Sequence, residues 1–224
     1  MGKIILLNGP PSSGKDTAAK HIRRLHNTKE DFGLTEPRQA CMLDRFSMPI
    51  KRAFAATMSL PIDEDGNCQP WESQKEIIIP EFGISYRQWQ IDFSESFLKK
   101  YNEVIFGVLL ARRIERRFTR GIANLVVVPD CGFQVEIDTI YSIYKPEDIL
   151  LIRCHRPGFT FQGDSRGYVR APPDARVFDP INNFTQDQYL MQIEAGVKCW
   201  LETPNRMTRE CETTMSFHPA LVTK

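Results

Sequence analysis

The stretch Gly9-Pro10-Pro11-Ser12-Ser13-Gly14-Lys15-Asp16-Thr17 decides how this chain is read. It fits the spacing G-x-x-x-x-G-K. Gly9 and Gly14 supply backbone angles that a side chain would block. The N–H groups between them, those of Ser12 and Ser13 included, then turn inward and form a nest of donors for an anion. A helix expected to begin near Lys15 adds the positive end of its dipole, and Lys15 adds a mobile cation. Donors, dipole and ammonium converging on one point suit a chain of phosphates, so ATP with Mg2+ is the expected ligand. The hydroxyl usual directly after the lysine is replaced by Asp16, with Thr17 next. Asp16 is a candidate magnesium ligand and equally a helix cap. Thr17 is a candidate for phosphate and metal through its N–H and hydroxyl.

The flanks agree with this reading. Ile4 to Leu7 is a continuous apolar run, as in a strand buried on both faces. Behind the turn, Ala18, Ile22 and Leu25 fall on one side of a helix. Cys41 to Leu43 reads as a short strand. Ser47 and Pro49 read as cap and first turn of a helix whose apolar face carries Ile50, Ala53, Phe54 and Thr57. Ser85 opens another helix, with Gln88 three residues on as its capping box. Tyr86, Trp89, Phe93 and Phe97 give that helix a core-facing stripe. A helix follows over 104–119, then a buried strand from Leu125 to Val128. Phe133, Ile137, Ile140 and Tyr144 mark the next helix. Ile149 to Ile152 and Val177 to Ile181 read as the last strands, ahead of a helix around 190–200. Strands alternating with helices predict an α/β fold with a parallel five-stranded sheet covered on both faces. The ligand crevice then lies at the carboxyl ends of the strands, where the strongest motifs fall.

Bulk properties narrow the classes. Of 224 residues, 29 are basic and 28 acidic, a net charge of +1 that gives no general attraction to nucleic acid or membrane. Six scattered cysteines without C-x-x-C spacing read as reduced thiols. No signal peptide or membrane span is visible, and the cytoplasm is the expected compartment. Leu60 to Gly83 is rich in Pro, Gly and acids and reads as an inserted loop. Its Asp63-Glu64-Asp65-Gly66 run lacks the spacing of a calcium loop and reads as a solvated turn.

Outside the phosphate loop, Asp130 ends a hydrophobic strand, within reach of magnesium beside the loop; the plain alternative is a cap for the helix after Phe133. Arg87 and Gln90 share a helix face, suited to a phosphate and a base edge or simply to solvent. Lys51 and Arg52, on the helix after the second strand, read as ordinary surface charge or, by a resemblance to nucleotide kinases, as candidates for an acceptor phosphate. Arg112, Arg113, Arg116, Arg117 and Arg120 cluster on one helix and are read as solvated or paired with acids. Arg153, Arg156, Arg166 and Arg170 accompany Pro157, Gly158, Gly163 and Gly167, the pattern of a mobile lid or a flexible basic loop. Lid arginines closing over a transferred phosphoryl group neutralise its charge and exclude water. Asn183, after the last strand, is a candidate for the adenine or for shaping its turn.

Gly-Lys-Asp-Thr in the loop resembles nucleoside monophosphate kinases. Ser85-Tyr86-Arg87-Gln88-Trp89-Gln90 looks like the Arg-x-x-Gln helix of the phage deoxynucleoside monophosphate kinases. Val126-Val127-Val128-Pro129-Asp130 with Phe133 and Glu136 is similar to that family's strand ending in Asp-x-Arg-Phe-x-x-Glu. Asp179-Pro180-Ile181-Asn182-Asn183 is similar to its Asp-x-Ile-x-Asn segment. The likeness extends from Ile4 to about Trp200, with one departure: the family's arginine after the strand aspartate is Gly132. The resemblance implies a P-loop kinase domain over 1–204, with acceptor-binding helices at 44–120, a lid at 154–172 and a tail at 205–224. It implies transfer of the ATP γ-phosphoryl group to a deoxynucleoside monophosphate, Glu136 among the acceptor-binding residues, a dimer, and a host cytoplasm. A kinase for another small phosphorylated acceptor, of phosphomevalonate or dephospho-coenzyme A type, and a non-catalytic ATP-binding module remain alternatives.

Overall fold

In the computed structural model, residues 2–28, 40–63, 66–183 and 185–202 are described. Strand β1 (Lys3–Asn8) leads into helix α1 (Lys15–Asn27), and β2 (Ala40–Leu43) into α2 (Met48–Thr57). A hairpin of β3 (Ile78–Ile79) and β4 (Ile84–Ser85) precedes α3 (Tyr86–Asp92), which runs on as a π-helix over Phe93–Lys99. Then come α4 (Ile105–Thr119), β5 (Ala123–Cys131), α5 (Gln134–Ile143), β6 (Ile149–Arg153), β7 (Arg176–Phe178) and α6 (Gln186–Glu202). The main sheet has order β2-β5-β1-β6-β7, with every pair parallel. The five-stranded parallel α/β sheet is as the alternation of elements predicts.

The period of two splits each apolar run between two cores. Ile4, Leu6, Val126 and Val128 face α4 and α5, meeting Leu110, Ile114, Ile137 and Ile140. Ile5, Leu7 and Val127 face α1 and α6, meeting Ala18, Ile22, Ile193 and Trp200. Covered on both faces, the sheet offers its carboxyl edge, where Asn8, Asp130 and Arg153 end or follow the central strands.

Apart from β3, residues 60–83 form the expected inserted loop, but part of it is packed into a core. Cys68 and Ile79 are fully buried against Phe54 and Tyr86, with Trp71 and Trp89 packed around them in a third core. This apolar burial ties the loop to α2 and α3. The Asp63 turn is present, with Gly66 N–H donating to Asp63 O at 2.9 Å; Glu64 and Asp65 lie outside the described residues.

Four local expectations need correction. Ser47 precedes α2 but makes no side-chain cap, because its hydroxyl donates to Asp130. The buried face of α2 carries Lys51 and Ala55 beside Ile50 and Phe54, whereas Thr57 is exposed. Ser85 Oγ accepts from Gln88 N–H at 3.2 Å, but the Gln88 side chain turns to Asp92, so half of the capping box forms. The aromatic stripe also leaves the core: Tyr86 is buried and Phe97 is 55% exposed, since the π-helical turn rotates it off the face.

Cys41, Cys68, Cys131 and Cys154 are buried free thiols. Among the described residues no helix is long and apolar enough to cross a membrane. The tail at 205–224 lies outside the described residues.

Candidate phosphate-binding site

The loop between β1 and α1 curls inward. Gly9 has φ +152°, Ser12 φ +60° and Gly14 φ +102°, so three of its residues occupy the region where side chains strain the backbone. A Cβ on Gly9 would stand 2.5 Å from the Cys154 carbonyl oxygen, and one on Gly14 2.9 Å from Asn182 Nδ2. Both glycines are therefore demanded by conformation and by space. Ser13 is fully buried, and its N–H donates to Pro10 O at 3.2 Å, closing the turn.

Lys15 opens α1 and is 8% exposed. Its Nζ donates to Pro10 O at 2.6 Å and lies 3.4 Å from Ser13 Oγ, so the ammonium folds over the loop onto neutral acceptors. Burial holds its pKa below the usual lysine value, and Arg166 pushes the same way. A buried ammonium on neutral partners is a cation short of counter-charge.

A cleft of about 350 Å³ opens beside the loop, lined by Gly14, Lys15, Asp16, Thr17, Arg156 and Asn182 among others. Arg156 Nη1 donates to Ser12 O at 2.7 Å, and its guanidinium lies over the Phe159 ring at 4.3 Å. Asn182, not Asn183, meets the loop: its Nδ2 donates to Ser13 O at 3.1 Å, while Asn183 is exposed. The bridge between His155 and Ile181 fixes this register, which turns the preceding asparagine inward. Next to the cleft, His155 stacks on Tyr168 above an open hollow of about 730 Å³ that also holds Arg156, Phe159 and Ile181.

Asp16 faces Arg45, a residue the sequence reading missed. Arg45 Nη2 donates to Asp16 Oδ1 at 2.8 Å. Burial opposes ionisation of Asp16, but Arg45 outweighs it together with Lys15 and Lys51, and the carboxyl stays below the usual range. Arg45 is 9% exposed and its Nε has no partner among the described residues. Its neighbour Asp44 is fully buried and accepts from Arg113 Nε at 3.1 Å and from Arg117. Two of the clustered arginines are thus held by one carboxylate. Their spacing of four on one helix face was the available signal.

Asp130 does not cap the helix after Phe133. Its carboxylate accepts from Phe46 N–H at 2.9 Å, Ser47 N–H at 3.0 Å and Ser47 Oγ at 2.7 Å, binding the entrance of α2. Among the described residues no group of three acidic, His or Cys side chains is arranged to hold a metal. Asp16 and Thr17 line the cleft, with one Asp16 oxygen bonded to Arg45, whereas both oxygens of Asp130 are taken up by three donors.

The remaining candidates are distributed unequally. Lys51, 3% exposed, donates to Asn67 Oδ1 at 2.7 Å and pairs with Glu72 at 3.0 Å; it is a buried ion-pair member, not surface charge. Arg87 is exposed and paired with Glu76, and it lies within electrostatic reach of Asp164. Gln90 is half-buried. Glu136 is 4% exposed; burial first, then Asp130, push its carboxyl up to about 8, with Lys99 and Arg166 opposing. Arg153 is turned away from the loop by a two-pronged pair with Asp179, at 2.8 and 2.6 Å. Arg166 pairs with Asp164 in the same way, at 2.8 and 2.5 Å.

The second half of the expected lid is tied down. Gly167 N–H donates to Gly132 O at 3.3 Å, Asn8 Nδ2 to Gly167 O at 2.9 Å, and Arg170 N–H to Gln134 Oε1 at 2.8 Å. Residues 164–170 form a strap across the sheet edge, because strand-end groups satisfy their backbone.

No protein-family model matches the chain, and no curated protein matches it. Among solved structures it is similar to an unliganded sugar kinase from Janibacter sp. HTCC2649. The identity is 11%, covering 88% of this chain and 95% of that one, with a TM-score of 0.47. At that distance the likeness decides nothing about function, which rests on the geometry of the site.

Proposed function

We propose that the chain is an ATP-dependent phosphotransferase acting on a small phosphorylated acceptor, with a deoxynucleoside monophosphate as the favoured one. The observation that carries the reading is the inward-curled Gly9–Thr17 loop with the Lys15 ammonium folded over it on neutral acceptors. That arrangement supplies donors and positive charge for a triphosphate without a protein carboxylate to displace. Arg156, Asn182 and the hollow beside them suit the nucleoside end. Asp16 and Thr17 would hold magnesium, which neutralises phosphate charge when bound. The deoxynucleotide acceptor is supported by the sequence resemblance, with Arg87 within electrostatic reach of the Asp164 that holds Arg166.

An oxygen of the acceptor phosphate attacks the γ-phosphorus, and the bond to the β–γ bridging oxygen breaks. ADP leaves with that electron pair, and no covalent enzyme intermediate is needed. The chain's own contribution is positioning and charge neutralisation.

A coupled ADP-release assay over the four deoxynucleoside monophosphates tests this. Stimulation by at least one is expected. ATP binding without stimulation by any would leave an ATP-binding module or a different acceptor, with phosphomevalonate and dephospho-coenzyme A the next to assay.

A further inference from the structure

Asn8 is the last residue of β1 and is fully buried, directly after four aliphatic residues and directly before Gly9. A buried amide is costly unless its groups are bonded, and an aliphatic residue would suit the strand better. Its Nδ2 donates to Cys131 O at 2.9 Å and to Gly167 O at 2.9 Å, and its Oδ1 accepts from Val169 N–H at 3.3 Å. One side chain thus joins the start of the phosphate loop, the end of β5 and the strap at 164–170.

Gly132 meets the same strap from the other side. It is buried, and its backbone is not in the left-handed region, so conformation does not demand glycine there. Space does. A Cβ at 132 would stand 2.5 Å from Arg166 Cδ, 2.8 Å from Cγ and 3.1 Å from Cβ. The Arg166 side chain lies along the bare Cα of Gly132, with three of its own atoms in the volume a side chain would fill. Its guanidinium is braced by Asp164, feels the charges of Asp130 and Glu136, and is felt in turn by Lys15.

We propose that Asn8 and Gly132 are positioning residues that seat the Arg166 guanidinium beside the phosphoryl group in transfer, making Arg166 the charge-neutralising arginine of the site. Arg153 is turned onto Asp179, and Arg156 is held at Ser12 O, so neither occupies the space that Gly132 leaves bare. The inference rests on the phosphotransferase reading and adds which arginine serves it and what holds that arginine.

The test is a cycle of Gly132→Ala, Arg166→Ala and the double variant, read by kcat and KM in the ADP-release assay, with calorimetric ATP affinity and melting temperature for each. Asn8→Ser is a fourth variant. Neutralisation by an arginine in phosphoryl transfer is worth about 10³-fold or more in kcat, and displacing it by an ångström costs on the order of 10²-fold. Arg166→Ala is expected at the first level and Gly132→Ala near the second, with ATP affinity and melting little changed. In the Arg166→Ala background, Gly132→Ala is expected to add nothing. Equal penalties for Gly132→Ala in both backgrounds overturn the inference, as does wild-type kcat in Arg166→Ala. If no deoxynucleoside monophosphate is turned over, the same cycle is run on ATP hydrolysis with water as acceptor. Absence of ATP binding in the wild type would instead sink the phosphotransferase reading itself; ATP binding without transfer to any acceptor or to water sinks both.

Discussion

The phosphate loop and the cleft opposite it share one edge of one sheet, yet they treat charge in opposite ways. In the loop, the Lys15 ammonium bonds to a carbonyl and approaches a hydroxyl, both neutral. Away from the loop, cations are held by the protein's own carboxylates: Lys51 by Glu72, and Arg113 and Arg117 by Asp44. A buried cation without counter-charge is destabilising by itself and is kept where an anion will arrive. A cation already paired fixes geometry, and an incoming anion must share it. The first region is poised for ligand, the second for shape.

The sharpest way to break this contrast is Lys15→Ala. If the loop is poised for phosphate, turnover falls by about 10³-fold or more, because charge stabilisation in a water-poor site is lost. Stability holds or rises, since burial already disfavours this ammonium. Assay of ADP release beside a thermal melt checks both. Wild-type turnover in a folded variant would refute the role assigned to the lysine.

Asp44→Asn probes the other side. It leaves Arg113 and Arg117 facing an amide in a fully buried position, and removing one partner of such a group costs about 3–5 kcal/mol. Urea denaturation should show a much lower midpoint with an unchanged slope. A loss below ~1 kcal/mol would mean that the pairing is solvated like a surface bridge.

The same contrast explains what the sequence made legible. The loop is local: nine consecutive residues, a strand before and a helix after, so pattern and spacing suffice. The central strands β1, β5 and β6 show for the same reason, as runs of four aliphatics. The cleft is assembled over long separations, with Asn8 joined to Gly167 and Asp44 to Arg117, and only the sheet order brings such pairs together. A polar residue closing the run Ile4 to Leu7 was the trace Asn8 left. Lys51 read as an acceptor-phosphate ligand or as surface charge, because its partners Asn67 and Glu72 lie in a segment whose prolines suggested a loop. Asn182 and Asn183 differ by one position, and strand register, invisible in sequence, selects between them.

Glu136 gives the finest test of this side of the site. Its carboxyl is raised to about 8 by burial and by Asp130, against the pull of Lys99 and Arg166. Unfolded, it titrates near the ordinary carboxylate value of about 4.3. Between those two values the native state binds more protons at this site than the unfolded chain, so its contribution to stability falls as pH rises, and levels off above about 8. Glu136→Gln removes the titration and should flatten that part of the pH–stability profile, gaining stability over wild type most clearly near pH 8. Denaturation midpoints at several pH values decide it. Were the two profiles parallel, the carboxyl would be ionised in the folded state, held by Arg166 and Lys99. The cleft would then be a site where every buried acid has its cation.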